Sequence, residues 1–275
     1  MNKKWLKLLA FLVAAALIVG VCMFANALNG NPVSKAIATR AAEQYLDERF
    51  GDKDYYIERV SYSFKDGSYH AFIKSPTSVD TSFSVTFTML GEYRYDTYDS
   101  VVNKFTSASR LEEEYRALTK TVFDAPSFPY DSDIGYGRLE IYPREAFEDP
   151  VWNGVPHYAM IQDDLELDKV YDIRALAAQC GHLIVYVESE TITHEKAAEI
   201  ILDLKALFDE AEIPFVALDF TLWHSLPEEG LRPDGEVRVE SFLYEDIYED
   251  SMTERVREAD EALRAYYDKL DEQYK

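Results

Sequence analysis

Apolar positions along this chain fall into three patterns. The first is a block. Leu8 to Ala25 reads LLAFLVAAALIVGVCMFA, 18 apolar or small residues without a break. As a helix rising ~1.5 Å per residue it spans about 27 Å, close to the ~30 Å hydrocarbon core of a bilayer. The second pattern repeats every three or four residues, the period of a helix with one buried stripe. It covers 32–50, where Asn31 is placed to cap, Pro32 fits the first turn, and Ala36, Ile37, Ala41, Tyr45 and Leu46 form the stripe. It returns at Val101, Phe105, Ala108, Leu111, Tyr115, Leu118 and Val122, then over Asp172–Ala178 and Thr193–Ala211. A last helix follows Ser251, which with Glu254 has the form of a capping box. The third pattern alternates, as in a strand with one buried face. Tyr56, Val60, Tyr62 and Phe64 lie mostly on one phase, Asp66-Gly67 marks a hairpin, and Tyr69, Ala71 and Ile73 alternate on the return. Phe83, Val85, Phe87 and Met89 keep strict period two, and Tyr93 and Tyr95 follow a turn at Gly91-Glu92. Leu139–Ile141, Leu165–Tyr171, Phe215–Trp223 and Glu236–Leu243 read as further strands, and Leu183–Val187 as a buried one.

This order predicts an α+β fold behind one membrane helix. Residues 1–7 form a tail and 8–27 the helix. Residues 28–124 form a first module of helix, antiparallel meander and closing helix. APSFPYDSDIGYG at 125–137, rich in Pro, Gly, Ser and Asp, reads as a linker. Residues 138–275 form a second module of βαβαββα type.

Charge orients the block. Lys3, Lys4 and Lys7 precede it, and no Lys or Arg follows until Lys35. The positive-inside rule then puts 1–7 in the cytoplasm and 28–275 outside, with Trp5 as an interfacial aromatic. Ala25-Asn26-Ala27 has the form of a signal-peptidase site. The apolar run exceeds the about 7–15 residues of a signal core, so it is read as an uncleaved anchor. The chain carries 28 Lys and Arg against 51 Asp and Glu, a net charge of −23. That balance argues against a nucleic-acid partner. Residues 28–124 hold 12 basic and 15 acidic residues, and 125–275 hold 13 and 36. The acidity therefore belongs to the second module.

Candidate chemistry is sparse. Cys22 lies inside the apolar block, so Cys180 is alone in the remainder. Flanked by Ala177, Ala178 and Gly181, Cys180 reads as a buried small hydrophobe. His182, two residues on, offers an imidazole partner on the same face of an extended segment, but the core reading of the pair is preferred. His194-Glu195 lacks a second histidine at the next turn, where Ala198 stands, so His194 reads as a solvated first-turn residue. Phosphate-binding glycine loops and the G-x-S-x-G elbow are absent. Carboxylates cluster at Asp131 and Asp133, at Asp163, Asp164, Glu166 and Asp168, and at Glu245, Asp246, Glu249 and Asp250. Such groups suit glycoside or peptide hydrolysis or Ca²⁺ binding, yet with so many acids a solvated surface is the simpler reading. Strand tyrosines suit a half-buried pleat, with an exposed binding groove as the alternative. No catalytic, cofactor-binding or metal-ligating residue is assigned.

Several segments are similar to those of one family. NALNGNPVSK (26–35), FKDGSYHAFIKSPTSVDTSF (64–83), PSFPYDSDIGYG (126–137), YDIRALAAQCGHLIVYVE (171–188) and FLYEDIYED (242–250) resemble the YfjL-like proteins of Bacillus-type bacteria. The resemblance covers nearly the whole chain. It implies a single-pass membrane protein with amino- and carboxy-terminal YfjL-like domains, and it supplies no catalytic residues. The expectation is a non-enzymatic binding or scaffolding module of the bacterial cell envelope, without cofactors and with an envelope protein as partner. The alternatives are a carboxylate-dependent envelope hydrolase and an acidic cation sensor.

Overall fold

The computed structural model describes residues 3–132, 134–148, 154–225 and 235–273. The chain divides into two compact units, Met1–Thr106 and Ser107–Lys275.

The first unit opens with α1 (Lys3–Asn29). It is long and apolar enough to cross a bilayer, a property it shares with signal sequences, and its apolar window is not buried against the rest of the chain. Gly30, at φ +67°, ends it, and α2 (Pro32–Phe50) begins under an Asn31 cap whose Oδ1 accepts from the Ser34 amide at 2.8 Å. Strands β1 (Tyr56–Ser63), β2 (Ser68–Lys74), β3 (Ser82–Phe87) and β4 (Tyr93–Asp96) form an antiparallel sheet in sequential order. The register sets Val60 beside Ala71 and Val85, and Tyr62 beside Tyr69 and Phe87. Alternation thus becomes rows of apolar side chains on one face, and α2 covers that face with Ala38, Ala42, Tyr45 and Leu46. Two tyrosines finish the layer: the Tyr45 and Tyr93 hydroxyls both donate to Asp96 Oδ2 at 2.7 Å.

The helix expected from Val101 to Val122 is broken. A short α3 (Asp99–Val102) and a long α4 (Phe105–Phe123) are separated at Lys104, which takes φ 65°. Asn103 Oδ1 accepts from the Phe105 amide at 3.0 Å, restarting the helix. α4 also belongs elsewhere than expected. Its Leu111, Tyr115 and Val122 are buried in the core of the second unit, so it opens that unit and does not close the first.

The second unit continues with β5 (Ile134–Leu139), β6 (Ile141–Tyr142), α5 (Arg144–Glu148) and β7 (Met160–Ile161). Then come α6 (Ile173–Cys180), β8 (Gly181–Glu188), α7 (His194–Glu210), β9 (Ala217–Trp223), β10 (Glu236–Leu243) and α8 (Met252–Gln273). The main sheet has the order β10-β9-β8-β5; β8 and β9 are parallel, joined across α7, and the outer pairs are antiparallel. Leu183, Val185 and Val187 of β8 and Leu218, Phe220 and Leu222 of β9 share one core with α4, α6 and α7. The segment 125–137 is not a linker between units, since it ends in β5. Gly135 and Gly137, two apart, share a face of that strand. A Cβ on Gly137 would stand 2.5 Å from Thr119 Cγ2 and 2.6 Å from the Tyr115 ring, so glycine is what lets α4 lie on β5.

Two other expectations change. Leu165–Tyr171 forms a turn, not a strand, with Asp168 at φ 60°. Ser251 stands at φ 54°, not in the extended backbone of a capping serine. The turn before α8 is organised by Arg255, which donates to the carbonyls of Asp246, Tyr248 and Asp250. Residues 226–234, rich in Gly, Pro and acidic residues and read from the sequence as the loop between the last two strands, lie outside the described residues, as does Asp133.

Candidate functional site

Sheet alternation leaves the second face of β5, β8 and β9 to Arg138, His182 and Asp219. Arg138 pairs with His182 across β5 and β8. Ile184 pairs with Asp219 across β8 and β9, so His182 and Asp219 are diagonal neighbours on that face. The chain runs on past β5, with the Glu140 amide donating to the Cys180 carbonyl at 2.8 Å, so Glu140, two residues beyond Arg138, falls on the same face. The four charges meet. His182 Nδ1 lies 2.7 Å from Glu140 Oε1, and Nε2 lies 2.9 Å from Asp219 Oδ1. The Nε2 contact is an off-axis ion pair rather than an aligned hydrogen bond. Arg138 places Nε at 2.6 Å from Glu140 Oε1, and Tyr142 donates to Glu140 Oε2 at 2.6 Å. Tyr158 Oη stands 3.0 Å from His182 Nδ1. The bulge between Val239 and Phe242 on β10 aims the Ser241 amide at Asp219 Oδ1, 2.7 Å away.

Burial makes this cluster costly unless its charges cancel. The side chains of Glu140 and His182 are 1% and 2% exposed, while that of Asp219 is 28% exposed. Two cations face two anions. Burial alone would raise the Glu140 carboxyl, but hydrogen bonds from His182 and Tyr142 and the charge of Arg138 outweigh it and hold it below the usual range. Asp219 is held low in the same way, against burial, by His182 and the Ser241 amide. Burial would lower His182, but Asp219 and Glu140 together raise it. These shifts favour the charged form of each group; Glu140 and His182 are sealed from solvent, whereas the side chains of Arg138 and Asp219 are 39% and 28% exposed. The chemistry of the arrangement is that of a locked ion cluster.

Cys180, two residues from His182, is not its partner. The thiol is fully buried, its Sγ faces the Leu176 carbonyl at 3.5 Å, and burial pushes it up to about 12.

A second histidine–carboxylate pair borders a cleft. His194 opens α7 behind a Thr193 cap, and its Nε2 lies 3.0 Å from Asp260 Oδ2 on α8. It is therefore held by a carboxylate, not solvated as expected. Asp260 also accepts from the Arg238 amide and Arg264 Nε, each at 3.1 Å. Among the described residues, Glu195, His224, Glu236, Glu261 and Arg264 also line this cleft of about 650 Å³.

The predicted acidic clusters do not converge into a site. Asp163 and Asp164 pair with Arg144, and Glu166 pairs with Lys169. Among the described residues no group of three or more His, Cys, Asp or Glu is placed to hold a metal ion. The tyrosines divide: Tyr45, Tyr69 and Tyr115 are buried, whereas Tyr56, Tyr93 and Tyr95 are exposed.

Two family models match the chain. The YfjL-like, N-terminal domain covers residues 2–115, and the YfjL-like C-terminal domain covers residues 114–257. The chain belongs to the YfjL-like family. No curated protein and no solved structure matches it. The Glu140–His182–Asp219 cluster falls inside the YfjL-like C-terminal domain, whereas Asp260 and Arg264 of the cleft lie beyond the matched residues.

Glu140 and Asp219 carry no sequence signal. Each stands outside the acidic runs, and each meets His182 only through strand pairing. The one available hint was a histidine in an otherwise apolar strand run, His182 before Leu183–Val187.

Proposed function

We propose that this YfjL-like protein is a single-pass membrane protein with its amino terminus in the cytoplasm. Its two α+β units stand outside and bind another envelope protein without catalysing a reaction. The observation that carries this reading is the junction after α1. Ala25-Asn26-Ala27, the stretch just after the apolar run with the form of a signal-peptidase site, lies in the last turns of the helix. The Tyr62 hydroxyl of β1 donates to the Ala27 carbonyl at 2.9 Å, and Tyr69 Oη accepts from the Asn31 amide at 2.8 Å. Cleavage after Ala27 would remove the Tyr62 hydrogen bond from the first unit, while the Tyr69–Asn31 bond just beyond the site fixes the start of α2 against the sheet. The locked ion cluster supports the same reading, because a group so sealed is suited to rigidity rather than turnover. The test has two parts. A membrane-impermeant thiol reagent should label Glu190→Cys but not Lys4→Cys in intact cells, and the mature chain should keep its first residues by mass spectrometry. A chain beginning at Leu28 overturns the anchor. Cross-linking from intact cells should then recover one specific protein partner; repeated recovery of none counts against binding.

One observation favours a second reading, an envelope hydrolase: the His194–Asp260 pair beside the open cleft has the form of a carboxylate-oriented base. Turnover of cell-wall glycan or peptide that is abolished by Asp260→Asn would carry it, and no turnover removes it.

A further inference from the structure

The junction that holds α1 also borders an open cavity of about 350 Å³, lined by Asn29, Gly30, Lys35, Ser61, Tyr62 and Tyr69 among others. Its lining contains no carboxylate, in a chain where acids outnumber bases 51 to 28. Lys35 and Ser61 do not spend their side-chain donors on other described residues. Gly30 keeps the space open: at φ +67°, a Cβ there would stand 2.6 Å from Tyr69 Oη and 2.7 Å from the Tyr62 ring.

The depth of this cavity follows from the anchor. The apolar run ends at Ala25, and Asn29 is four residues on. That is about 6 Å along a helix, which is roughly the thickness of one headgroup layer, given a core of ~30 Å in a bilayer of ~40–45 Å. Apolar side chains are exposed at the same end of the unit. Leu28 and Val33 flank the cavity in sequence at 46% and 70% exposed, and Phe64, just past Tyr62 at the β1–β2 turn, is 62% exposed. A lone cation, a hydroxyl and no acid, with exposed apolar residues next to them along the chain at headgroup depth, suit a phosphodiester with its acyl chains beside it.

We propose that this cavity takes the phosphate of an anionic phospholipid from the extracytoplasmic leaflet, with Lys35 as its cation and Ser61 as a hydroxyl donor. The inference rests on the membrane anchor proposed above. A lipid held here would fix the first unit at a set height over the bilayer, because α1, α2, β1 and β2 all meet at this point.

The test uses the full chain in nanodiscs of mixed phosphatidylglycerol and phosphatidylcholine, with native mass spectrometry counting the lipids retained. The wild-type chain should keep phosphatidylglycerol in preference. Lys35→Gln should lower that retention about five-fold, the effect of one basic residue at an anionic surface, and Ser61→Ala should lower it less. Lys53→Gln, beyond the far end of α2, should leave it unchanged. Retention without headgroup preference, or retention unmoved by Lys35→Gln, overturns the lipid site and leaves the anchor standing. A chain that fails to enter the disc overturns the anchor, and the site with it. Displacement of the lipid by millimolar inorganic phosphate as effectively as by added phosphatidylglycerol overturns the assignment to a lipid.

Discussion

His182 is held between two carboxylates, and its raised affinity for a proton ties the second unit to pH. A group whose pKa is raised on folding stabilises fully below its unfolded value, near 6.5 for histidine, and that contribution is lost as pH rises through the folded value. Glu140 and Asp219 are lowered, so theirs is present above the ordinary carboxylate range and lost as pH falls. Urea unfolding of the second unit should therefore show a stability maximum in mildly acidic solution, with a decline on the alkaline side that His182→Gln abolishes. Removing one partner strands the others, so Glu140→Gln should cost about 3–5 kcal/mol near neutral pH. A cost under 1 kcal/mol would mean that the cluster is hydrated rather than sealed. Cys180 provides a probe of the same core. With a fully buried thiol, it should resist Ellman's reagent in the folded chain and react on denaturation. Fast reaction in the native state would contradict the packing of α6 against β8.

At the scale of elements, periodicity located most helices and strands but not their ownership. α4 shows why. Its stripe of Leu111, Tyr115 and Val122 is as legible as any, yet a stripe does not say which sheet it meets. The deciding signal is on the partner, in Gly135 and Gly137, whose meaning appears only once Tyr115 and Phe123 lie against them. Gly137→Ala should overpack this contact and cost about 1–3 kcal/mol in thermal or urea denaturation. Ownership also has a direct test. A polypeptide of residues 104–275 should unfold cooperatively, whereas one of residues 125–275, lacking α4, should not. The reverse would return α4 to the first unit. The Leu165–Tyr171 strand failed for a different reason: alternation over a few residues is satisfied equally by a turn, and Asp168 takes a left-handed backbone outside the extended range of regular strand residues. The ion cluster was illegible because Glu140, His182 and Asp219 are joined by register alone.

For the whole molecule, placing the boundary at Thr106 sharpens the division of charge. Residues 28–106 hold nine Lys and Arg against eleven Asp and Glu, and residues 107–275 hold 16 against 40. Nearly all the acid surplus therefore sits in the unit farther along the chain from α1, and the unit attached to α1 is almost neutral. A balanced surface can stand next to anionic lipid without repulsion, and a strongly acidic one cannot. The same imbalance predicts different responses to salt. Like charges in the second unit repel one another over the Debye length, which shrinks from about 30 Å at 0.01 M to about 8 Å at 0.15 M salt. Added salt therefore relieves self-repulsion there and has little to relieve in the first unit. Calorimetry of residues 28–275 should resolve two transitions, as expected for a chain that does not unfold as one two-state body. The transition of residues 107–275 should move up by several degrees between 0.01 and 0.15 M NaCl, while that of residues 28–106 stays in place. Charge-neutral NaCl effects on both transitions, or an equal shift of both, would show that the acidic surface is compensated locally, as Arg144 compensates Asp163 and Asp164, rather than acting as a single field.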